Sequence, residues 1–292
     1  MVYLERFNLA SADAEDGFVL NYPYQLEMQC YSHESVYPFK LFVKKGLESL
    51  TFEPITIFYG GNGSGKSTLL NVIAEKLSLE RSAPFNDTPY FDDYLRFCSY
   101  SLSKSIPEKS KLIASDDVFD LLLDTRAIND GVERRRQELF EEYKEHYETP
   151  YQLRSLEDIE EFKERYEAKR KTKSAYVTRR LPREIQTRSN GESAFAYFTG
   201  EIKEDALYLL DEPENSLSAE LQIKLASFLE DSARFWGCQF IISTHSPFLL
   251  SMKGAAVYDL DKIPVGRVPW TELENVRAYH EFFEAHRDEF KQ

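Results

Sequence analysis

The chain has 292 residues, 42% of them apolar and 14% aromatic, enough for one large α/β domain or two modest ones and too apolar for wholesale disorder. Lys and Arg number 36 against 50 Asp and Glu, and the net charge of −14 argues against a surface coated in positive charge for nucleic acid, local patches aside. No stretch nears the roughly 18 apolar residues of a membrane span. The opening "MVYLERFNLASADAED" carries charge where a signal peptide needs an apolar run, and Cys30, Cys98 and Cys238 have no metal-ligand spacing. A soluble, reduced, cytoplasmic protein without membrane contact is expected.

In chain order, residues 1–59 read as short strands ("VYLERFNL", "KLFVKKG", "ITIFYG") with turns at Asp16-Gly17, Pro23, Pro38 and Pro54. A glycine-rich loop, "GGNGSGKST", fills 60–68, and a helix is expected over 66–79. Residues 80–115 look irregular, with one strand at "YLRFCSYS". Two highly charged helical segments follow, Asp116 to Tyr147 and Ser155 to Val177, separated by "TPYQ". Then "ALYLLDE" (206–212) reads as a strand. Residues 218–236 read as a helix with Leu221, Leu225, Phe228 and Leu229 on one stripe, ending at Gly237, and "CQFIISTHS" (238–246) as another strand. "AAVYDLD" reads as one more strand, and a polar helix closes the chain. Apolar strands alternating with helices predict an α/β fold with a mostly parallel core sheet, preceded by an N-terminal antiparallel β region. Ligands of such sheets collect at the carboxyl ends of the strands, which here carry Gly60–Ser67, Asp211-Glu212 and Ser243-Thr244-His245.

The loop has the pattern G-x-x-x-x-G-K-[ST]. Backbone N–H groups can curl around phosphate oxygens only where side chains do not intrude, hence Gly61, Gly63 and Gly65 among Gly60, Asn62, Ser64 and Thr68. Lys66 supplies a mobile positive charge to the terminal phosphates, the Ser67 hydroxyl is an Mg²⁺ ligand, and the following helix turns its N-terminal dipole to the same anion. A buried strand ending in Asp211 aims that carboxylate at Mg²⁺, directly or through water. Glu212, one residue on, points at a different target, the water that attacks the γ-phosphate. His245 is expected to hydrogen-bond the γ-phosphate or that water.

These motifs carry a resemblance. The loop, "LYLLDE", "ENSLS" and "IISTHS" look like the Walker A, Walker B, D-loop and H-loop of ABC-type ATPases, and "RSNGES" (188–193) is similar to their signature sequence. There Ser189, Gly191 and Glu192 match, whereas Arg188 and Asn190 replace the usual Leu and Gly. The set most resembles stand-alone bacterial ABC-type ATPases labelled AAA-family, relatives of SMC and recombination-repair ATPases, over residues 36–80 and 185–285. The resemblance implies a P-loop ABC-type ATPase head, one domain over 1–292 with a charged helical insert at 100–187, using ATP and Mg²⁺. It also implies a head-to-tail homodimer in which Ser189 and Gly191 complete the partner's ATP site, serving DNA repair or anti-phage defence. The adenine-stacking aromatic stays open among Tyr37, Phe39 and Phe42, and the Q-loop glutamine stays unplaced, since Gln137 and Gln152 sit in the insert and the strand near Arg96–Tyr100 has none. A transporter's nucleotide-binding subunit, which usually has a clear Q-loop and a nearer LSGGQ, is the alternative.

Residues 165–188 hold nine basic residues (Arg165, Lys169, Arg170, Lys171, Lys173, Arg179, Arg180, Arg183, Arg188) against Glu167 and Glu184, a local +7 in a chain of −14. This segment is expected to dock nucleic acid or a protein effector, against the alternative of a solvated helix face.

Overall fold

A computed structural model describes residues 1–21, 36–148, 159–182 and 189–291. Cys30, Gln152, Arg183, Glu184, Arg188, the expected turn at Pro23 and the "TPYQ" break lie outside the described residues. The elements in order are β1 (Leu4–Asn8), α1 (Ala12–Asn21), β2 (Ser49–Thr51), β3 (Ile55–Tyr59), α2 (Lys66–Lys76), α3 (Phe91–Phe97), β4 (Ser99–Leu102), β5 (Lys111–Ala114) and α4 (Ser115–Glu148). They continue with α5 (Ile159–Arg170), α6 (Lys173–Arg180), α7 (Asn190–Glu201), β6 (Leu207–Asp211), α8 (Ala219–Phe235), β7 (Gln239–Ser243), α9 (Pro247–Leu250), β8 (Ala256–Asp259), β9 (Gly266–Arg267) and α10 (Glu274–Ala285).

The chain divides into two compact units, Met1–Val118 with Asn190–Gln292, and Phe119–Ser189. The first contains a six-stranded sheet ordered β5-β6-β7-β3-β8-β9, parallel except for the short edge strand β9. Its central strands β3 (ITIFY) and β7 (QFIIS) are buried at every residue and predominantly apolar, as strands covered on both faces are. A three-stranded antiparallel sheet, β2-β1-β4, lies in the same unit. Side chains stitch the two sheets: the Tyr258 hydroxyl of β8 donates to the Thr51 carbonyl of β2 (2.9 Å), and a fully buried amide makes the second link. Gln239 of β7 accepts from the N–H groups of Tyr3 (2.7 Å) and Leu4 (2.9 Å) through Oε1 and donates to the Leu4 carbonyl (2.9 Å) through Nε2. Its amide thus satisfies the backbone of β1 as a neighbouring strand would. α8 forms where its apolar stripe predicts: Ser218 caps it by accepting from Leu221 N–H, and Leu225 and Leu229 are fully buried.

Four local expectations are corrected. "KLFVKKG" is not a strand; Val43–Lys45 is a 3₁₀ turn. Asp16-Gly17 is not a turn but lies inside α1, where Ser11 Oγ accepts from Ala14 N–H and starts the helix. Within "YLRFCSYS" only the end is extended, because α3 occupies Phe91–Phe97 before β4. The stretch 80–115 is less irregular than it reads, since β5 pairs with β6 along the core sheet. In consequence residues 100–118, counted with the insert on sequence, belong to the first unit as β4, β5 and the start of α4.

The second unit is helical. α4 has 34 residues, about 50 Å of helix, and Leu139 and Phe140 on it pack with Ala168 of α5 and Tyr176 and Val177 of α6 in a small core of their own. Ion pairs along the helix, such as Arg135 with Glu138 and Glu142, both at 2.9 Å, occupy its exposed side.

Candidate functional site

The phosphate loop runs from the end of β3 into α2. Gly63 and Gly65 take φ of +79° and +97°, which side chains disfavour, and a Cβ on Gly65 would meet Leu41 at 3.2 Å. The loop is folded around its own lysine. Lys66 is 4% exposed, and its ammonium donates to the carbonyls of Gly60 (2.8 Å) and Gly61 (3.2 Å). Its Nζ also lies 2.8 Å from His245 Nε2 and 3.7 Å from Glu212 Oε1. Ser64 Oγ is buried with no hydrogen-bond partner among the described residues.

β6, beside β7, delivers the acids. Asp211 Oδ1 accepts from Ser67 Oγ (3.1 Å) and from Ser243 Oγ. Burial pushes the Asp211 carboxyl above the usual aspartate range, against the two serine hydrogen bonds that pull it down. Glu212 sits at φ +46°, a left-handed conformation costing on the order of 1 kcal/mol for a non-glycine residue. Its N–H holds it there by donating to both the carbonyl (3.0 Å) and the hydroxyl (3.1 Å) of Ser243. Glu212 Oε1 thereby lies 3.7 Å from both Lys66 Nζ and His245 Nε2.

His245 follows β7. Burial and the adjacent Lys66 charge depress its pKa below the ordinary imidazole value, outweighing Glu212, so the ring is neutral at pH 7 and accepts from Lys66. Its backbone is clamped on both sides: the N–H donates to Glu214 Oε1 (2.6 Å), and the carbonyl accepts from Asn275 Nδ2 (3.1 Å). Neither residue stands out in the sequence. Glu214 reads as one more acid in "DEPE", and Asn275 as a polar residue in a surface helix.

These side chains edge a cleft of about 570 Å³. Its lining includes Asn62, Gly63, Gly65, Lys66, Ser67, Thr68, Asp211 and Glu212, with Tyr37, Arg81 and Phe85 also on its wall. Among the three aromatics considered for stacking on a base, Phe39 and Phe42 are core residues, 5% and 0% exposed, whereas Tyr37 lines the cleft and donates from its hydroxyl to Thr68 Oγ1 at 2.8 Å. Phe85, with the Arg81 guanidinium 4.3 Å over its ring, is a second aromatic there that the sequence reading did not pick out. Gly60, Ser64 and His245 flank the cleft without lining it. Ser189 and Gly191 do not line it either: α7 begins at Asn190, with Ser189 just before it. A Cβ on Gly191 would meet the Ser216 carbonyl at 3.0 Å, so glycine lets the start of α7 lie against the Glu214–Ser218 loop without displacing it.

The residues present fit a nucleoside triphosphate with a hard divalent cation. The loop keeps an unpartnered buried hydroxyl and a buried ammonium whose hydrogen-bond acceptors, the Gly60 and Gly61 carbonyls and His245, phosphate oxygens can replace, with the Glu212 carboxylate 3.7 Å away. Ser67 and Asp211 bring two oxygen donors together, the few protein ligands Mg²⁺ commonly takes beside phosphate and water. Fold and site together define an ATPase of the P-loop class. The chain belongs to the family described as "AAA domain, putative AbiEii toxin, Type IV TA system", whose profile matches residues 92–251. No curated protein matches it. Among solved structures, the SMC head domain from Thermotoga maritima is 14% identical, with 76% of this chain and 92% of that one covered and a TM-score of 0.36. An Smc head with an extended coiled coil bound to the C-terminal domain of ScpA, derived from Pyrococcus furiosus, is 12% identical, covering 98% of this chain and 100% of that one at a TM-score of 0.44. A dimeric ATP-binding cassette in a post-hydrolysis state, bound to ADP and Pi, is 15% identical, covering 75% and 88% at a TM-score of 0.35.

Proposed function

We propose that the chain is a Mg²⁺-dependent ATPase whose nucleotide acts as switchable glue between two copies. The observation that carries this reading is the convergence of Lys66, His245 and Glu212, from three separate strand ends, on one edge of the phosphate loop. Ser67 and Asp211 would hold Mg²⁺, which would offset phosphate charge. The N–H groups of Gly63 to Thr68 take the phosphate oxygens, and Lys66 exchanges its loop carbonyls for the terminal phosphate. Glu212, held rigid by Ser243, orients the attacking water and draws on its proton as general base. His245, neutral and pinned through its backbone, hydrogen-bonds the γ-phosphate. Ser189, Gly191 and the N-terminus of α7 complete a partner's nucleotide site rather than their own. ATP binding thereby favours a head-to-tail dimer and hydrolysis releases it. Residues 165–188 carry the switch to a nucleic acid or an effector protein in a cytoplasmic repair or defence complex. Among the described residues no helix is long and apolar enough to cross a membrane.

The test separates binding from chemistry. Glu212→Gln keeps the shape and loses the negative charge, so turnover should fall about a hundredfold or more while the Kd for ATP stays within about threefold. Lys66→Ala should instead weaken nucleotide binding itself. Unchanged turnover in both variants would overturn the assignment.

A further inference from the structure

The second unit holds a cleft that ATP chemistry does not use. It has a volume of about 560 Å³ and lies on α5, α6 and the link between them, lined by Lys163, Arg170, Lys171, Arg179, Arg180 and Tyr166. Two carboxylates, Glu164 and Glu167, share the wall with these five cations. Glu167 alone meets three of them, Lys171 at 3.1 Å, Arg180 at 3.3 Å and Arg179 at 3.6 Å. One carboxylate cannot neutralise three cations, so the cleft keeps an excess of positive charge in a chain of −14. Arg180 shows the shortfall directly. Its guanidinium lies 3.8 Å over the Tyr176 ring, and its Nη1 is buried with no hydrogen-bond partner among the described residues. A buried donor of that kind is unfavourable until an acceptor reaches it. Beside the cations, Tyr166 is 57% exposed and stacks on the 43% exposed Phe162 one turn away, with centroids 6.5 Å apart and planes within 20°. Exposed stacked aromatics cost solvation and offer flat faces to another ring.

We propose that this cleft binds single-stranded nucleic acid, its phosphates on the Lys163–Arg180 cluster and its bases on the Tyr166–Phe162 pair. Both halves of the argument are needed: the cations fit any polyanion, but exposed stacking aromatics beside them fit unpaired bases, which an acidic peptide lacks and a duplex keeps inside its stack. The inference rests on the reading of residues 165–188 as a docking segment and is independent of the ATPase assignment.

The experiment is fluorescence anisotropy of a labelled twenty-nucleotide oligo(dT) with the full chain, alongside a duplex of equal length and a poly-glutamate peptide. With about four phosphates contacted, affinity should fall about 50-fold between 50 and 200 mM KCl. Lys163→Glu with Arg170→Glu should weaken oligo(dT) binding at least about tenfold, and Tyr166→Ala about fivefold or more. Circular dichroism spectra and thermal midpoints matching the wild type would show that both variants are folded. Duplex bound more tightly than oligo(dT), or Tyr166→Ala without effect, overturns the proposal. Poly-glutamate bound as tightly as oligo(dT) overturns it while leaving a docking segment for an acidic protein. No binding of any of the three probes at 50 mM KCl overturns both.

Discussion

Replacing Gln239 with Leu tests how the antiparallel sheet is fastened to the core. Leucine fills nearly the same volume but leaves the N–H groups of Tyr3 and Leu4 and the Leu4 carbonyl without the amide that now serves them at 2.7–2.9 Å. Gln239 and Leu4 are fully buried and Tyr3 nearly so, which leaves water little access to replace it. At roughly 1.5 kcal/mol for each orphaned group, the loss is about 4–5 kcal/mol. Additional apolar burial offsets about 1 kcal/mol, leaving a net destabilisation of about 3 kcal/mol. For a unit of this size that corresponds to a midpoint about 10 °C lower in thermal unfolding followed by circular dichroism. Hydrogen exchange should locate the damage, with the Tyr3 and Leu4 amides losing protection before those of β3 and β6. A midpoint shift below about 2 °C with both amides still protected would refute the stitching argument.

Further variants probe two acids, Glu15 and Glu214. Burial, against a hydrogen bond from Lys40 N–H, lifts the Glu15 carboxyl from its ordinary 4.5 to about 7. The folded chain therefore keeps a proton that the unfolded chain has already released, so stability should fall as pH rises from about 5 to 8, by about 2 kcal/mol. Glu15→Gln should flatten that slope in urea titrations across the range; parallel curves for variant and wild type would contradict the reasoning. Glu214→Ala removes the acceptor that clamps the His245 backbone and should lower kcat about tenfold with little change in KM, whereas Glu214→Gln keeps the acceptor and should stay within about threefold. Equal kcat in the two variants would remove Glu214 from the positioning of His245.

The parts of this molecule most legible in its sequence are those where one local pattern decides the outcome. β3, β6 and β7 are largely apolar runs followed by chemically distinctive residues, and parallel pairing needs little else, so the core sheet and the loops at its carboxyl edge follow directly. The 34-residue α4 announces itself through its charge spacing. Elements whose conformation is set by single side-chain contacts or by a pairing partner are not legible in this way. α1 depends on the Ser11 cap and on Glu15 reaching Lys40, and β5 is short and identifiable only by its pairing with β6. The same division runs through the site. Gly60–Thr68, Asp211, Glu212 and His245 carry their chemistry in their spacing, whereas Glu214 and Asn275 act through single backbone hydrogen bonds formed only once the chain has folded. Tyr37 could be separated from Phe39 and Phe42 only by burial, which three aromatics within six residues do not reveal.

The central claim is that ATP joins two copies of this chain, and sedimentation velocity of Glu212→Gln tests it most directly. With Mg·ATP the variant should sediment as a species of twice the 34.1 kDa chain mass. It should remain at the single-chain mass without nucleotide, or when Ser189→Arg places bulk where a partner's γ-phosphate belongs. A mass indifferent both to ATP and to Ser189→Arg would contradict the account.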